Sequence, residues 1–328
     1  LEKSGFVVEK IYTASGDYNR QQLNEVIKKF YRPQSENLLV EVIQKIEQDG
    51  LGEEIRFLAR KPKSVPVVEN KSIWNIKSSV KTNKKPVVSI IIPVFNKVEY
   101  TQQCLEALYS IENGINEFEI IVIDNASTDE TNNFLNFALK VYDNIKVITC
   151  SKNLKFAGAC NIGAKNADGK ILVFLNNDTI PTANWLSAGI NKLITNQEIG
   201  IVGSKLVYPD DTIQHAGIEF VSNMHPDYDL WPVHRYLNLS KDDPLTNKAE
   251  FVDAVTGACL FISTILFNAV NGFSEEYEMY FEDSDLCFKV KSYGKKIFYE
   301  PSSLVYHYEG KSNTDEPQRH KQNYKASK

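Results

Sequence analysis

The sequence lacks the marks of several large protein classes. It has five cysteines among 328 residues, none in a C-x-x-C pair, which is unlike a disulfide framework or a cysteine-rich zinc site. No apolar run reaches the roughly 20 residues that a membrane-spanning helix needs. A net charge of −5 is unlike a protein that binds nucleic acid broadly through a basic face. We therefore expect a globular protein with reduced cysteines and no nucleic-acid partner.

Residues 1–10 show no recognisable targeting signal. Residues 1–10 lack the apolar core of a signal peptide. They also lack an initiator Met, as expected for an excised piece of a longer protein. We expect a cytoplasmic protein, and peripheral contact with the inner face of the membrane stays open.

The texture of the sequence changes along the chain. Hydrophobic residues make up 42% of it, enough for a packed core, and 328 residues exceed the needs of one typical domain. The predicted segments are a small α/β fragment at 1–61, a Pro-punctuated linker at 62–86, a main domain at 87–310 and a polar tail at 311–328.

Strand and helix patterns alternate through the main domain. Apolar, β-branched runs predict strands at 87–94, 119–123, 145–149 and 171–175. Helical spacing of apolar residues predicts helices at 100–111, 131–139 and 157–167. This alternation is typical of an α/β fold, a Rossmann-like parallel sheet with helices on both faces.

Polar side chains follow the predicted strands, where ligands bind in an open α/β sheet. Helix capping by Ser127 or Asp129 would account for part of one such stretch. All four stretches together favour a binding site at this sheet edge; they are 95–96, 124–129, 153–161 and 176–179.

Five motifs in this part of the chain resemble those of family 2 glycosyltransferases with the GT-A fold. The resemblance covers roughly residues 86–310 and is closest in kind to rhamnosyl- and related transferases of bacterial surface polysaccharides. It implies an inverting transferase that uses a UDP- or dTDP-sugar and a saccharide or lipid-linked saccharide acceptor. The motifs are SIIIPVFN (89–96), IDNASTD (123–129), FLNND (174–178), TGA (256–258) and FEDSDLC (281–287).

The same resemblance implies a nucleotide site. Asp124 matches the carboxylate that accepts the N3–H of uracil or thymine, a suitable charge-assisted bond. Pro93 and Phe95 match the wall around the base. Residues 153–161 are similar to an N-x-G-F-A-G-x-x-N pattern, in which Lys155 stands where glycine is usual; a phosphate contact and an outward side chain both stay open for it. The remaining residues implied in nucleotide-sugar binding are Asn153, Asn161, Asn177 and Gly257.

A divalent metal, Mn²⁺ or Mg²⁺, is implied by the D-x-D position that residues 176–178 match. Here the first acidic residue is Asn176, so only Asp178 is charged, and we expect weaker metal binding than at a two-carboxylate site. His307, after a predicted strand at 304–306, matches a late histidine that completes such a site, and an imidazole ligand favours Mn²⁺. A structural histidine is the alternative reading.

The general base implied by the resemblance is Asp283. Like-charged neighbours and the apolar residues before it are expected to raise its pKa towards that of a useful base. Asp285 and Lys289 lie one helical turn apart and are expected to pair, leaving Asp283 unclaimed. Glu282, the other candidate catalytic residue, is expected to hold acceptor or loop groups. An acidic first turn that only opens the helix through Val290 is the alternative.

The N-terminal fragment has a separate resemblance. LEKSGFVVEK (1–10) and EIRFLARKP (54–62) resemble the C-terminal end of a class I methyltransferase. Strands are predicted at 5–11 and 55–59, and helices at 19–30 and 36–48. No glycine-rich cofactor loop occurs in residues 1–61, so methyl transfer by this chain is not expected.

Two other functions compete with sugar transfer. A nucleotidyltransferase that makes sugar nucleotides has a similar sheet, but its glycine-rich N-terminal signature does not follow Val94. A non-catalytic nucleotide- or glycan-binding module would bind without turnover. The sequence does not identify the sugar, the acceptor, the linkage or the oligomeric state.

Overall fold

The computed structural model describes residues 7–13, 55–60, 86–111, 117–225, 228–277 and 281–308. The chain divides into two compact units, Leu1–Lys71 and Ser72–Lys328. In the first unit, β1 (Val7–Thr13) pairs antiparallel with β2 (Ile55–Arg60). Both strands were predicted; the helices predicted between them lie outside the described residues, and the methyltransferase resemblance stays a prediction.

The second unit is built on a ten-stranded sheet. Its main path runs β12-β14-β8-β13-β6-β3-β4-β5, with β7 paired to β14 and β9 paired to β8. A separate antiparallel hairpin joins β10 (Ile218–His225) and β11 (Tyr228–His234). The strands of the large sheet are β3 (Val88–Val94), β4 (Phe118–Asp124), β5 (Ile145–Thr149), β6 (Ile171–Leu175), β7 (Thr179–Pro181), β8 (Ile199–Val207), β9 (Ile213–His215), β12 (Glu250–Val252), β13 (Cys259–Ser263) and β14 (Lys296–His307).

Strand direction agrees with the prediction in one half of this sheet and departs from it in the other. β3, β4, β5 and β6 are mutually parallel, as their alternation with helices predicted. β13 runs antiparallel to both β6 and β8, so the sheet is mixed. The reason lies in the turn before β13: the N–H of Asn176 donates to the carbonyl of Ala258 at 2.9 Å, so β13 starts at the edge where β6 ends.

Six helices of the described residues cover both faces of the sheet, as predicted. Side chains alternate along β3, so that Ile90 and Ile92 lie in one apolar cluster and Ile91 in the other. Each fully buried side chain of this kind contributes roughly 1.5–3 kcal/mol. The first cluster is covered by α1 (Val98–Ser110), α2 (Thr131–Val141) and α4 (Trp185–Thr195), and the second by α3 (Lys155–Lys165), α5 (Thr264–Ala269) and α6 (Glu282–Ser292).

Among the residues described, no helix has the length and apolar character needed to cross a bilayer.

Candidate active site

Two loops at the carboxyl edge of the sheet are tied together by Asn96, which follows β3. Its side-chain Oδ1 accepts the N–H of Thr128 at 2.7 Å, and its own N–H donates to Ser127 Oγ at 2.8 Å. Asn96 has a φ of 59°, in the left-handed region that Asn tolerates better than most residues. Ser127 therefore links the loop after β4 to the loop after β3 through a hydrogen bond, and it is not the helix cap that was considered for it.

Asp129 is the residue that meets the start of α2. Its Oδ1 accepts hydrogen bonds from the backbone N–H and the hydroxyl of Thr131, and its Oδ2 accepts the N–H of Val98 at 3.1 Å. Burial opposes ionisation of Asp129, but these hydrogen bonds outweigh burial and lower the pKa of its carboxyl. The ionised carboxylate of Asp129 thus links the first residues of α1 and α2 through hydrogen bonds.

Asp124, the predicted base-reading residue, is the last residue of β4 and is buried. Its Oδ1 accepts the N–H of Ser127 at 2.9 Å. In the sheet it lies opposite Val94, which stands between Pro93 and Phe95, so all three predicted base-site residues lie at one strand end. Pro93 and Phe95 are half-buried.

Asn125 fixes the neighbouring loop before α3. Its Nδ2 donates to Asn153 Oδ1 at 3.0 Å and to the carbonyl of Lys155 at 3.1 Å, and its Oδ1 accepts the N–H of Leu154 at 2.7 Å. Asn153 Oδ1 also accepts the N–H of Lys155 at 2.8 Å. Lys155 has a φ of 62°, so it adopts the left-handed backbone for which glycine is usual at this position.

Two of the predicted nucleotide-site amides bind protein groups. Asn161 donates to the carbonyl of Phe273 at 2.9 Å and to Glu275 Oε1 at 3.0 Å, and accepts the N–H of Phe273 at 3.0 Å. Asn177 is buried and donates to Thr101 Oγ1 of α1 at 3.0 Å. Each amide thus holds another segment of the protein, and its role in nucleotide binding stays a prediction.

Asp178 and His307 meet beyond the ends of β6 and β14. His307 Nε2 lies 3.0 Å from Asp178 Oδ1 and 3.3 Å from Asn176 Nδ2, and both Asp178 and His307 are buried. On its other side, His307 Nδ1 lies 2.7 Å from Gln214 Oε1. If Nδ1 donates its proton to Gln214, the Nε2 lone pair faces the Asp178 carboxylate, and a cation between them would be stabilising.

That arrangement fits a divalent cation in part. A carboxylate oxygen and an imidazole nitrogen lie side by side, and Gln214 orients the imidazole in the way that partners of metal ligands do. Over the described ranges, no group of three or more His, Cys, Asp or Glu side chains could hold a metal ion by itself. A cation here would take its other ligands from outside the protein. A proton on His307 would meet the same electrostatic need.

Asp283, the predicted base, lies in the first turn of α6 with its carboxylate fixed by two backbone groups. Its Oδ2 accepts the N–H of Gly257 at 3.0 Å, and its Oδ1 accepts the N–H of Ser284 at 2.7 Å. A Cβ added to Gly257 would lie 3.0 Å from the ring of Phe156 and 3.5 Å from Asp283 Cβ. Glycine therefore allows the turn to pack closely against the ring of Phe156. The predicted pair of Asp285 and Lys289 is present at 2.7 Å.

Glu282, beside Asp283, is buried, and its expected role in holding acceptor or loop groups stays a prediction. Burial raises the pKa of its carboxyl, and the adjacent charge of Asp283 raises it further.

A short chain of contacts joins the two acidic sites. Asp283 binds the N–H of Gly257, and the next residue, Ala258, accepts the N–H of Asn176. Asn176 in turn lies against His307, the partner of Asp178. The structure thus places Asp178 and Asp283 at the same edge of the sheet, on either side of residues 256–258.

Sequence reasoning missed three residues that build this edge. Asn125 and Gln214 orient the loop before α3 and the imidazole of His307, respectively. His215, fully buried, has its Nε2 3.4 Å from the N–H of Thr256 and 3.3 Å from the N–H of Gly217. Burial, with the neighbouring His234 and His307, lowers the pKa of His215 well below its ordinary value. No sequence motif marked Gln214 and His215, which stand between Ile213 and Ala216.

Comparison with known proteins was made against families, sequences and solved structures. Residues 89–249 match the family model described as Glycosyl transferase family 2. The chain is 24% identical over 234 residues to the O-antigen biosynthesis protein RfbC of Myxococcus xanthus, covering 69% of this chain and 18% of that protein. It is 26% identical over 222 residues to the N-acetylglucosaminyl-diphospho-decaprenol L-rhamnosyltransferase of Mycobacterium tuberculosis, covering 61% and 70%. The chain spans less than half the length of several curated relatives.

The fold recurs in a solved glycosyltransferase. The crystal structure of GalNAc-T7 with UDP, GalNAc and Mn²⁺ superposes with a TM-score of 0.58 at 16% identity, over 70% of this chain and 45% of that one. This confirms the predicted GT-A fold. Residues 89–249 thus carry the glycosyltransferase family 2 domain that the family model describes and the named relatives support.

Proposed function

We propose that this glycosyltransferase moves a sugar from a UDP- or dTDP-sugar to a saccharide or lipid-linked saccharide, with inversion at the anomeric carbon. The observation that carries the proposal is the contact chain from Asp283 through residues 257–258 and Asn176 to His307 and Asp178. A proton acceptor and a candidate cation site at one sheet edge are what a direct displacement on a sugar diphosphate needs.

Asp283 is the proposed general base. Each of its oxygens accepts one backbone N–H, which orients the carboxylate and leaves acceptor capacity on both oxygens. In the proposed step, Asp283 takes the proton of the acceptor hydroxyl as its oxygen bonds to the anomeric carbon. The bond from that carbon to the diphosphate breaks, and its electron pair leaves with the diphosphate. A positioned base contributes about 10²–10⁴-fold to such a step.

Asp178 and His307 are the proposed protein ligands of a divalent cation. The cation, when bound, would offset the negative charge of the leaving diphosphate. One carboxylate and one imidazole suit Mn²⁺ at least as well as Mg²⁺. Support comes from their 3.0 Å contact and from the Mn²⁺ present in the GalNAc-T7 structure. With Asn176 in place of a second carboxylate, we expect the cation to bind more weakly before the nucleotide than with it.

The donor and acceptor classes rest on different observations. Asp124 and Phe95, at the ends of adjacent strands, support a uracil or thymine nucleotide, and the GalNAc-T7 structure contains UDP. The mycobacterial relative is named for a lipid-linked saccharide acceptor, which supports an acceptor of that class here. Such an acceptor would hold the protein at the inner face of the membrane.

A nucleotide screen combined with two substitutions tests the proposal. UDP or dTDP with Mn²⁺ should raise the melting temperature, because a ligand that binds the native state stabilises it, and GDP should not. Asp178→Ala should remove the Mn²⁺ dependence of this shift. Asp283→Asn should keep the shift and lower sugar transfer by about 10²-fold or more.

The control is Asp285→Asn, in the same helical turn but already paired with Lys289, which should transfer at close to the normal rate. A near-normal rate in Asp283→Asn would remove Asp283 from the mechanism. Equal UDP affinity with and without Mn²⁺ in the unaltered protein would remove the metal.

A further inference from the structure

Glu282 is a buried carboxyl group with an unmet hydrogen-bonding need. Glu282 as a whole is 8% exposed, and the Oε2 of its carboxyl group has no hydrogen-bond partner. Buried polar atoms in native proteins are nearly always paired, so an exception next to a proposed base calls for a physical explanation. An ionised carboxylate in this position would be far more costly than a protonated one.

Asp283 has the opposite environment, although it is the next residue. It is half-buried, and its two oxygens accept the N–H groups of Gly257 and Ser284 at 3.0 and 2.7 Å. Hydrogen bonds donated to a carboxylate stabilise its charged form. Asp283 therefore has a donor on each oxygen, whereas Glu282 has one backbone donor and an Oε2 without a partner.

The backbone explains how consecutive residues come to differ so much. Phe281 directly before α6 has a φ of 69°, a left-handed conformation that costs a non-glycine residue free energy. Successive helical side chains point about 100° apart, so the first turn directs Glu282 into the core and Asp283 towards the sheet edge. The strained residue, Phe281, directly precedes the helical turn that points the side chains of Glu282 and Asp283 in different directions.

The Glu282 carboxyl is influenced, among the described residues, by burial, the charge of Asp283 and a backbone hydrogen bond, none of which is a positive charge. It faces Cys160 of α3, whose pKa is raised by burial and by Glu282 itself. It also faces Tyr277, whose pKa is raised by burial, by Asp285 and Glu276, and by Glu282. Lys289, one turn along the helix, is paired with Asp285. The surroundings of Glu282 in the described part of the chain are therefore neutral or acidic.

We propose that Glu282 carries the proton of the Glu282–Asp283 pair while Asp283 carries its negative charge, which makes Glu282 a positioning residue for the base. A neutral Glu282 fills the core beneath Asp283 without a second negative charge beside it. Like-charged carboxyl neighbours commonly divide their protonation states in this way. The proposal rests on the proposed role of Asp283, but its first test needs no substrate.

The first test is the pH dependence of folding. Burial and the charge of Asp283 raise the pKa of Glu282 above its value in the unfolded chain, about 4.3. Between those two values the native state binds more protons than the unfolded chain, so the free energy of unfolding falls as pH rises. Glu282→Gln removes this titration and keeps the shape of the protonated carboxyl.

Urea unfolding of both proteins from about pH 5 to about pH 9 measures this difference. The urea midpoint of the unaltered protein should fall progressively below that of Glu282→Gln as pH rises. In an Asp283→Asn background, Glu282→Gln should have a smaller pH-dependent effect, because the neighbouring charge is gone. Asp285→Asn is the control and should show no widening gap. Parallel midpoint curves for the unaltered protein and Glu282→Gln would overturn the proposal.

The second test separates this proposal from the proposed function. If Glu282 acts as a neutral partner, Glu282→Gln should retain more sugar transfer at pH 7 than Glu282→Ala, since the amide replaces a protonated carboxyl of the same shape. Its rate should also lose any inflection that Glu282 causes at higher pH. A loss as large as that of Asp283→Asn would make Glu282 an ionised catalytic group and contradict the proposal. If no variant or unaltered protein transfers sugar, the urea result still decides the protonation state.

Discussion

Lys155 shows how one residue can keep a backbone conformation that its side chain disfavours. Its φ of 62° lies in the left-handed region, where a Cβ is crowded and glycine is the usual occupant. The conformation is held by hydrogen bonds on both sides of the residue, from its N–H to Asn153 Oδ1 and from Asn125 Nδ2 to its carbonyl. Lysine in place of the glycine of the motif therefore raises the free energy of this left-handed backbone conformation but does not change the conformation.

Replacing Lys155 by glycine should raise the free energy of unfolding by roughly 0.5–1 kcal/mol, the relief of left-handed strain less the greater backbone entropy of glycine. Urea denaturation measures the change. Lys155→Ala is the matched control, because it removes the same ammonium group but keeps the Cβ. If both variants had the same stability, the backbone explanation would be wrong.

At the same scale, the sequence predicted which residues stand at strand ends better than what each of them binds. Asp178 and His307, 129 residues apart, were expected near one another and lie in contact. Asn161 was expected near the nucleotide, yet its amide is used by Phe273. That partner arrives from a distant turn, and a motif describes only its own segment of the chain. The binding and catalytic roles themselves stay predictions.

At the scale of elements, amide side chains fasten the loops that carry the nucleotide site. Asn125 follows β4, yet its three hydrogen bonds reach residues 153–155 before α3. It is 4% exposed, so these groups have little access to water if the side chain is removed. The loop after β4 and the loop after β5 are therefore one structural element held by a single side chain.

Asn125→Ala should lower the free energy of unfolding by about 2–3 kcal/mol, since buried donors and acceptors lose their partner. It should also weaken the melting-temperature shift caused by UDP, because the loop beside Asp124 is no longer fixed. Denaturant titration and the nucleotide melt provide the two readings. Asn136→Ala, an exposed pair with Asn132 within α2, is the control and should change neither by much. An unchanged stability in Asn125→Ala would show that the loops are fixed by other contacts.

Periodicity located elements well and strand direction less well. The predicted strands at 145–149 and 171–175 coincide with β5 and β6, because five-residue apolar runs leave little freedom in their ends. The helix predicted from residue 157 begins two residues earlier, at Lys155. The antiparallel course of β13 could not be read from its apolar run, which is the same in either direction. It follows from the turn at 256–258, which is fixed at the sheet edge by Asn176.

At the scale of the second unit, cysteines lie in both apolar clusters, one on each face of the sheet. All five are free, and four are buried. Cys104 and Cys259 lie in the cluster on one face of the sheet, and Cys160 and Cys287 in the cluster on the other. Burial raises the pKa of all four thiols, to about 12 for Cys104, Cys259 and Cys287. Neither access nor ionisation allows them to react quickly in the native state.

Thiol labelling should therefore separate local exposure from unfolding of the whole sheet. Cys150 is half-buried at the end of β5 and should react first, and Cys150→Ser should remove that fast phase. The other four should react only when the unit opens. All four should share one rate constant, because the apolar clusters on both faces pack on the same strands. Peptide mass spectrometry after timed labelling gives the four rates. A nucleotide that binds the native state should slow all four together. If Cys104 and Cys259 were labelled at a different rate from Cys160 and Cys287, the two faces would open separately, and the sheet would not be the common support that the site at its edge requires.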